Sequence, residues 1–394
     1  MGKKLVLKSS VFFWETSYQG MLYDWTTSTS LRFSLLDPGI LSICNQWKDL
    51  NNLYAAHFDE KEEQDWMRAF VSAVVEKGLG DVFEEEDPAI SFPPVLKINQ
   101  TLERMGTRGG LDTMPLLSFL SHLRVFLGGN CDVNSLWKQV VFPMATPEHI
   151  DEERLFAFLQ RCDPRSLTQI DLVLSTWDAP YLSAIVDGLT SLNWKNNVRF
   201  YFAHSNPGFN NEALDRIASD GFALTQICTP GSLEQMQWIN GRKYHLLVRE
   251  ERDLIFWTGY LGENPTIDYE FKPVADNNLE FFRNNVFLSE EEILSQKLSK
   301  KDIFRHQALN VNQFGTLCVF PDGTIHPAPD APAIGTLEDS VHQTIIRELE
   351  ENHAWRQTRD LMTPCKNCLY RYLCPSPSVY ERIFGVPGCT YWKE

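Results

Sequence analysis

The chain has 394 residues, too many for one compact core, and its 43% hydrophobic and 22% charged residues give no reason to expect disorder. Its formal charge of −16, from 52 acidic against 36 basic residues, argues against nucleic acid as a partner, because phosphate binding needs a basic surface. No stretch approaches the ~20 apolar residues of a membrane helix, and MGKKLVLKSSVFFWE alternates where a signal peptide would run apolar, so a cytoplasmic chain is expected.

Residues 4–83 open with three strand-like stretches. Leu5, Leu7, Ser9, Val11 and Phe13 fall on one face at period two, and MLYDWTT from Met21 and LRFSL from Leu31 follow after short polar turns. In DPGILSICNQWKDL, Asp37 is a plausible N-cap with Pro38 at the first helical position. A second helix carries Trp66, Phe70, Val74 and Val75 at helical spacing and stops at Gly78. Three strands followed by helices predict a small α+β unit of winged-helix character. The acidic run Glu84 to Asp87, with Pro88, Pro93 and Pro94 beyond it, reads as a linker over 84–115.

Residues 116–300 alternate between strands and helices. Strands are predicted from His122, Gln169, Val198, Phe222, Lys243 and Asp268, several as continuous apolar runs expected of parallel strands covered on both faces. Helical stretches such as DEERLFAFLQRC and APYLSAIVDGLTSL lie between them. Six βα units in series point to a parallel α/β sheet, an open barrel or a doubly wound one, which spacing does not separate. Residues 308–394 read as a separate small module: a hairpin around Asp322-Gly323, a helix in IGTLEDSVHQTIIRELEENHAW, then a cysteine cluster.

That cluster is the strongest signal in the chain. Cys365-Lys-Asn-Cys368, Cys374 after five residues and Cys389 after fourteen more place four of nine cysteines within 25 residues. In a reducing compartment such crowding points to a metal and away from disulfides. Four thiolates complete the tetrahedral shell of zinc or hold a [4Fe–4S] cluster, and spacing alone leaves both open.

The stretch from Gly315 to Cys389 resembles a SPASM domain, the C-terminal cluster module of radical SAM peptide maturases. Its G-x-L-x-V-x-P-D-G hairpin, the later IGTLEDS and the CxxC-x5-C tail carry the likeness. The resemblance implies a [4Fe–4S] cluster on Cys365, Cys368, Cys374 and Cys389. It also implies that a first auxiliary cluster is missing, since Ser378 stands at the position of the next tail cysteine and Cys318 lies within a strand. Radical SAM enzymes carry CxxxCxxC after their first barrel strand to bind and cleave S-adenosylmethionine. No such motif occurs here: the segment reads GGNCDVNSLWKQ, with only Cys131 in it, and the glycine-rich segment after strand two reads STWDAP. The chain as a whole resembles pseudo-radical-SAM proteins of Bacteroidales peptide-maturation systems.

What this implies is a partial (β/α)6 radical-SAM-like barrel between a winged-helix-like domain and a SPASM-like cysteine module. No S-adenosylmethionine would be used. The expected role is a non-catalytic partner that binds a precursor peptide, a true radical SAM/SPASM enzyme, or both. The alternative is a redox enzyme acting on a bound peptide through its tail cluster. The N-terminal unit resembles a RiPP recognition element, which implies peptide binding at Leu31, Phe33, Leu35, Trp66 and Phe70; a structural cap on the barrel is the competing reading. His204 and His245 read as hydrogen-bonded core residues, and Cys44, Cys162 and Cys228 as small buried hydrophobes. Trp177 and Trp257 are expected to fill the space of a missing cofactor.

Overall fold

The computed structural model of the protein describes residues 2–59, 65–94, 115–129, 135–192, 194, 197–203, 211–231, 239, 241–264 and 266–391. In the N-terminal unit the first predicted strand is two strands, β1 (Gly2–Leu7) and β2 (Val11–Glu15). The polar triplet Lys8-Ser9-Ser10 turns the chain between them, closed by a bond from Val11 N to Lys8 O of 3.0 Å. The period-two face survives the break, because Leu5, Leu7, Val11 and Phe13 all enter one core. β2, β3 (Gln19–Asp24) and β4 (Thr29–Ser34) form one three-stranded antiparallel sheet. β1 lies between two strands that period two did not reveal, β5 (Ala55–Asp59) and β6 (Gly80–Glu84).

Helix α1 (Pro38–Lys48) is capped as expected by Asp37, whose carboxylate accepts from Gly39 N at 2.8 Å. With α2 (Asp65–Glu76) it covers that core, supplying Ile43, Cys44, Trp47, Phe70 and Val74. The other face of β2 and β3 is also apolar. Phe12, Trp14, Met21 and Tyr23 leave the N-terminal core and join Ile293, Ile303, Leu369, Tyr370, Tyr372 and Leu373 from the far end of the chain. One hairpin therefore serves two cores.

All six strands predicted between 116 and 300 form: β7 (His122–Phe126), β10 (Gln169–Val173), β11 (Val198–Ala203), β12 (Ala223–Cys228), β13 (Lys243–Val248) and β14 (Asp268–Pro273). Two short strands intervene, β8 (Gly128–Gly129) and β9 (Thr146–His149). The six are parallel and lie side by side in chain order, so the order never reverses as a doubly wound sheet requires. The result is a mixed α/β protein with one large sheet of nine strands. Leu123, Val125, Ile170, Leu172, Phe200 and Phe202 point to the helices α3 (Glu152–Leu159), α4 (Ala179–Ser191) and α5 (Asn211–Ser219). Phe126, Val173, Tyr201, Ile227 and Leu247 point to the other face. Burial on both faces is why these strands read as continuous apolar runs.

The C-terminal stretch is built into this sheet and does not stand apart from it. β15 (Thr316–Val319) runs parallel beside β7, and β16 (Thr324–His326) and β17 (Gly335–Thr336) extend the sheet beyond it. The β15–β16 turn is the predicted one, with Gly323 at φ +84° and Thr324 N bound to the Asp322 carboxylate at 2.9 Å. Helix α10 (Val341–Glu351) then packs on the helix face. Among the described residues no helix is long and apolar enough to cross a membrane. Helices α6 (Glu251–Glu263), α7 (Leu279–Asn285), α8 (Glu290–Ser295), α9 (Lys300–Ala308) and α11 (Val379–Phe384) complete the molecule.

Candidate metal centre

Local turns place the first three tail cysteines. Residues Cys365–Asn367 make one tight helical turn, closed by Cys368 N on Cys365 O at 2.8 Å, which sets the CxxC pair on one side. The next turn brings Cys374 N to Tyr370 O at 2.9 Å. Cys389 arrives separately, bridged to Leu288, with Leu288 N on Gly388 O at 3.2 Å and Thr390 N on Leu288 O at 2.9 Å. Every one of the six cysteine pairs is close enough for one thiolate to raise the proton affinity of the other. Burial pushes the Cys365 and Cys368 thiols up and Cys374 up to about 12, so metal binding would have to displace protons.

Among the described residues no group of three or more His, Cys, Asp or Glu stands so that it could hold a metal ion. By donor type alone, four soft sulfurs beside aromatic rings and a buried cation suit an iron–sulfur cluster or zinc.

That cation is Arg359, whose side chain is 7% exposed. Its Nη1 donates to Cys365 Sγ at 3.3 Å and to Glu381 Oε1 at 2.9 Å, and its Nε donates to Pro375 O at 2.7 Å. Glu381 in turn accepts from Gly388 N, beside Cys389, at 2.7 Å. Ser378 caps α11 and forms a capping box with the same Glu381. The carboxylate that steadies the helix end thus also holds the arginine at the thiols.

The N-terminal hairpin forms part of the roof. Trp14 Nε1 donates to Leu369 O, next to Cys368, at 2.7 Å, and its ring meets Tyr372 edge-on at 5.6 Å. Arg371 Nη2 donates to Glu15 O at 3.0 Å and its guanidinium lies over Tyr372. Arg32 on β4 binds both Glu290 and the Tyr370 hydroxyl.

At the C-terminal ends of the parallel strands, apolar side chains fill the face opposite the helices. The chain leaves β7 through Gly128 and Gly129, at φ +81° and +129°, where a Cβ would stand 1.9 Å from Glu148 O and 2.7 Å from Ser175 O. It then returns across the sheet with Leu136, Val140, Phe142 and Met144 buried against Phe126, Val173, Tyr201, Ala203, Ile227 and Leu247, and with Trp137 packed beside them. Gln139 pins this plug to the far side, donating to Ala275 O at 2.9 Å and accepting from Ala275 N at 2.7 Å. Ser175 Oγ accepts from Met144 N at 3.1 Å, and Asp178 caps α4, so STWDAP anchors the plug and a helix. Trp177 and Trp257 are not in that space: both pack on the helix side, against Phe202 and against Tyr244 and Leu246. Cys131 and His204 lie outside the described residues.

No family model and no curated protein matches the sequence. Among solved structures the chain is similar to anSMEcpe with bound AdoMet and the Cp18Cys peptide, at 9% identity and TM-score 0.44, over 67% of this chain and 94% of that one. It is also similar to BtrN in an open conformation, at 10% identity and TM-score 0.32, over 63% and 92% of the two chains. Likeness at that level carries no functional weight.

Toward the N-terminal ends of the strands the same face turns polar. Asp171, 1% exposed, accepts from His122 and from Gln169, both at 2.8 Å. Burial pushes its carboxyl up, but these bonds and the charges of His122 and Arg124 outweigh burial and hold it below the usual carboxylate range. His245 is a buried core residue beside Tyr201 and Glu270, and burial, with Lys272 adding to it, pushes it down to about 4. Cys44, Cys162 and Cys228 are buried thiols in apolar surroundings.

The residues expected to face a peptide sit mostly inside the N-terminal core. Leu35 and Phe70 are buried, Leu31 and Phe33 pack on that core, and the rings of Phe33 and Phe70 meet at 4.8 Å, which fills the groove between β4 and α2. The side chain of Trp66 lies outside the described residues. β4 pairs only with β3 among the described residues, so its outer backbone edge is open. Sequence reasoning missed Arg359, Glu381, Trp14 and the plug; the apolar run in SLWKQVVFPM, separated by five residues from a pair of glycines, was the available signal for the last.

Proposed function

We propose that this chain is a non-catalytic, pseudo-radical-SAM partner in peptide maturation, carrying one iron–sulfur cluster on Cys365, Cys368, Cys374 and Cys389. The plug carries this reading. A radical SAM enzyme needs an open strand mouth with a three-thiolate cluster and S-adenosylmethionine, and here Leu136, Val140, Phe142 and Met144 occupy that mouth. Hydrophobic side chains packed there would have to be expelled before a charged cofactor could enter.

When bound, a cluster of this kind supplies one-electron chemistry or a rigid cross-link between chain segments. The chain's own residues do the rest: four thiols hold it, Arg359 offsets its charge and the β2–β3 hairpin keeps water from one side. A precursor peptide would add to the open edge of β4 through main-chain hydrogen bonds, with exposed Ser34 as a side-chain neighbour, because Leu31, Phe33 and Leu35 are already committed inward and Arg32 is held by Glu290 and Tyr370. A true radical SAM/SPASM enzyme would then act on the presented peptide. The test is anaerobic reconstitution followed by assays for S-adenosylmethionine binding and 5′-deoxyadenosine formation. The expected result is roughly four irons per chain, as a [4Fe–4S] cluster requires, and neither binding nor cleavage. Deoxyadenosine above a buffer control would overturn the reading.

A further inference from the structure

We propose that Arg359 is the internal counter-charge and positioning residue of the four-cysteine centre, setting both its reduction potential and its hold on metal; this rests on the four-cysteine reading above. A centre ligated by four thiolates is anionic, and a buried anion is costly unless a paired charge accompanies it. Arg359 is the buried cation in hydrogen-bond contact with these thiols, reaching Cys365 Sγ at 3.3 Å.

Its other bonds reach two of the three remaining ligand segments. Nε holds Pro375 O, the carbonyl directly after Cys374. Nη1 and Nη2 grip Glu381 at 2.9 and 3.4 Å, and Glu381 holds Gly388 N, directly before Cys389. Two residues far apart in the sequence therefore fix where three of the four sulfurs sit. A lysine would keep the charge but could not make this fork.

The sign of the electronic effect follows from the charge. An N–H···S bond and a nearby cation both favour the more negative, reduced state of a cluster. Removing them makes the reduction potential more negative. A merely structural arginine would alter loading or melting and leave the potential of the loaded protein where it was.

The experiment uses the full chain, reconstituted anaerobically, as wild type, Arg359→Gln and Arg359→Lys. Iron per chain, reduction potential and iron release to a chelator are measured for each. Arg359→Gln is expected to show a more negative potential and roughly 10–100-fold faster release, the range seen when groups supporting metal ligands are lost. Arg359→Lys should fall between the two. Wild-type potential together with wild-type release in either loaded variant overturns the inference; if Arg359→Gln does not load, Arg359→Lys decides alone. Wild type that loads zinc and no iron refutes the cluster reading, and the counter-charge is then judged by zinc release, equal rates overturning it. Wild type that takes up neither metal overturns both.

Discussion

Replacing Trp14 with alanine tests whether the N-terminal hairpin is structurally part of the metal centre. The indole is 4% exposed, lies edge-on to Tyr372 at 5.6 Å and near Tyr23 at 6.5 Å, and donates to Leu369 O at 2.7 Å. Truncating a core tryptophan costs about 3–5 kcal/mol, with the spread set by how far the cavity collapses. Trp14→Phe keeps most of the packing and leaves the Leu369 carbonyl unpaired, at a cost of about 1–3 kcal/mol. Because Leu369 follows Cys368, both variants should also speed metal release. Phe13→Ala is the control: Phe13 points into the other core, so it should destabilise without altering release. Equilibrium urea unfolding of metal-free and metal-loaded protein, with chelator release in parallel, reads all three. Trp14→Ala within about 0.5 kcal/mol of wild type, the range of a neutral surface change, would refute the shared hairpin.

Phe142→Ala should cost about 3–5 kcal/mol in urea unfolding, since the ring is 3% exposed within the plug; a variant as stable as wild type would show the mouth is not filled as described. His245 gives a pH signature. Its folded value of about 4 lies below the unfolded 6.5, so its contribution is complete above pH 6.5 and is lost as pH falls toward 4, by about 3 kcal/mol in all. His245→Gln should therefore flatten stability against pH in that window relative to wild type, and parallel curves would contradict the assignment. Cys368→Ala should abolish stable iron loading and lower the melting temperature of reconstituted protein toward that of the metal-free chain; full iron content in the variant would remove Cys368 from the ligand set.

Legibility in the sequence followed how local each cause was. Strands such as QIDLV and VRFYFA were visible because burial on both faces is written into consecutive residues. The Asp322-Gly323 turn, the Asp37 cap and the Cys365–Cys368 pair each depend on residues a few positions apart. The break at Lys8-Ser9-Ser10 was hidden because the period-two face continues across it. Arg359 and Glu381 are 22 residues apart, and Trp14 meets Leu369 across 355, so no window of periodicity could connect them. The plug has no period sustained long enough to mark an element: Leu136 and Val140 are four apart, and Val140, Phe142 and Met144 alternate for only five residues. Its residues are recognised as a unit only when the strand ends they cover are in place.

The two-core hairpin also sets an order of events during synthesis. Phe12, Trp14, Met21 and Tyr23 emerge from the ribosome well before Leu369 to Leu373, which complete their cover. At ordinary elongation rates, a gap of 355 residues corresponds to roughly 20 to 70 s. That aromatic face is bare until Ile293, Ile303 and Phe304 are made, and covered only in part until Leu369 to Leu373 follow. Chains cut short before the cysteine tail would keep part of that face open permanently, and so would be the species that chaperones retain and that aggregate on release.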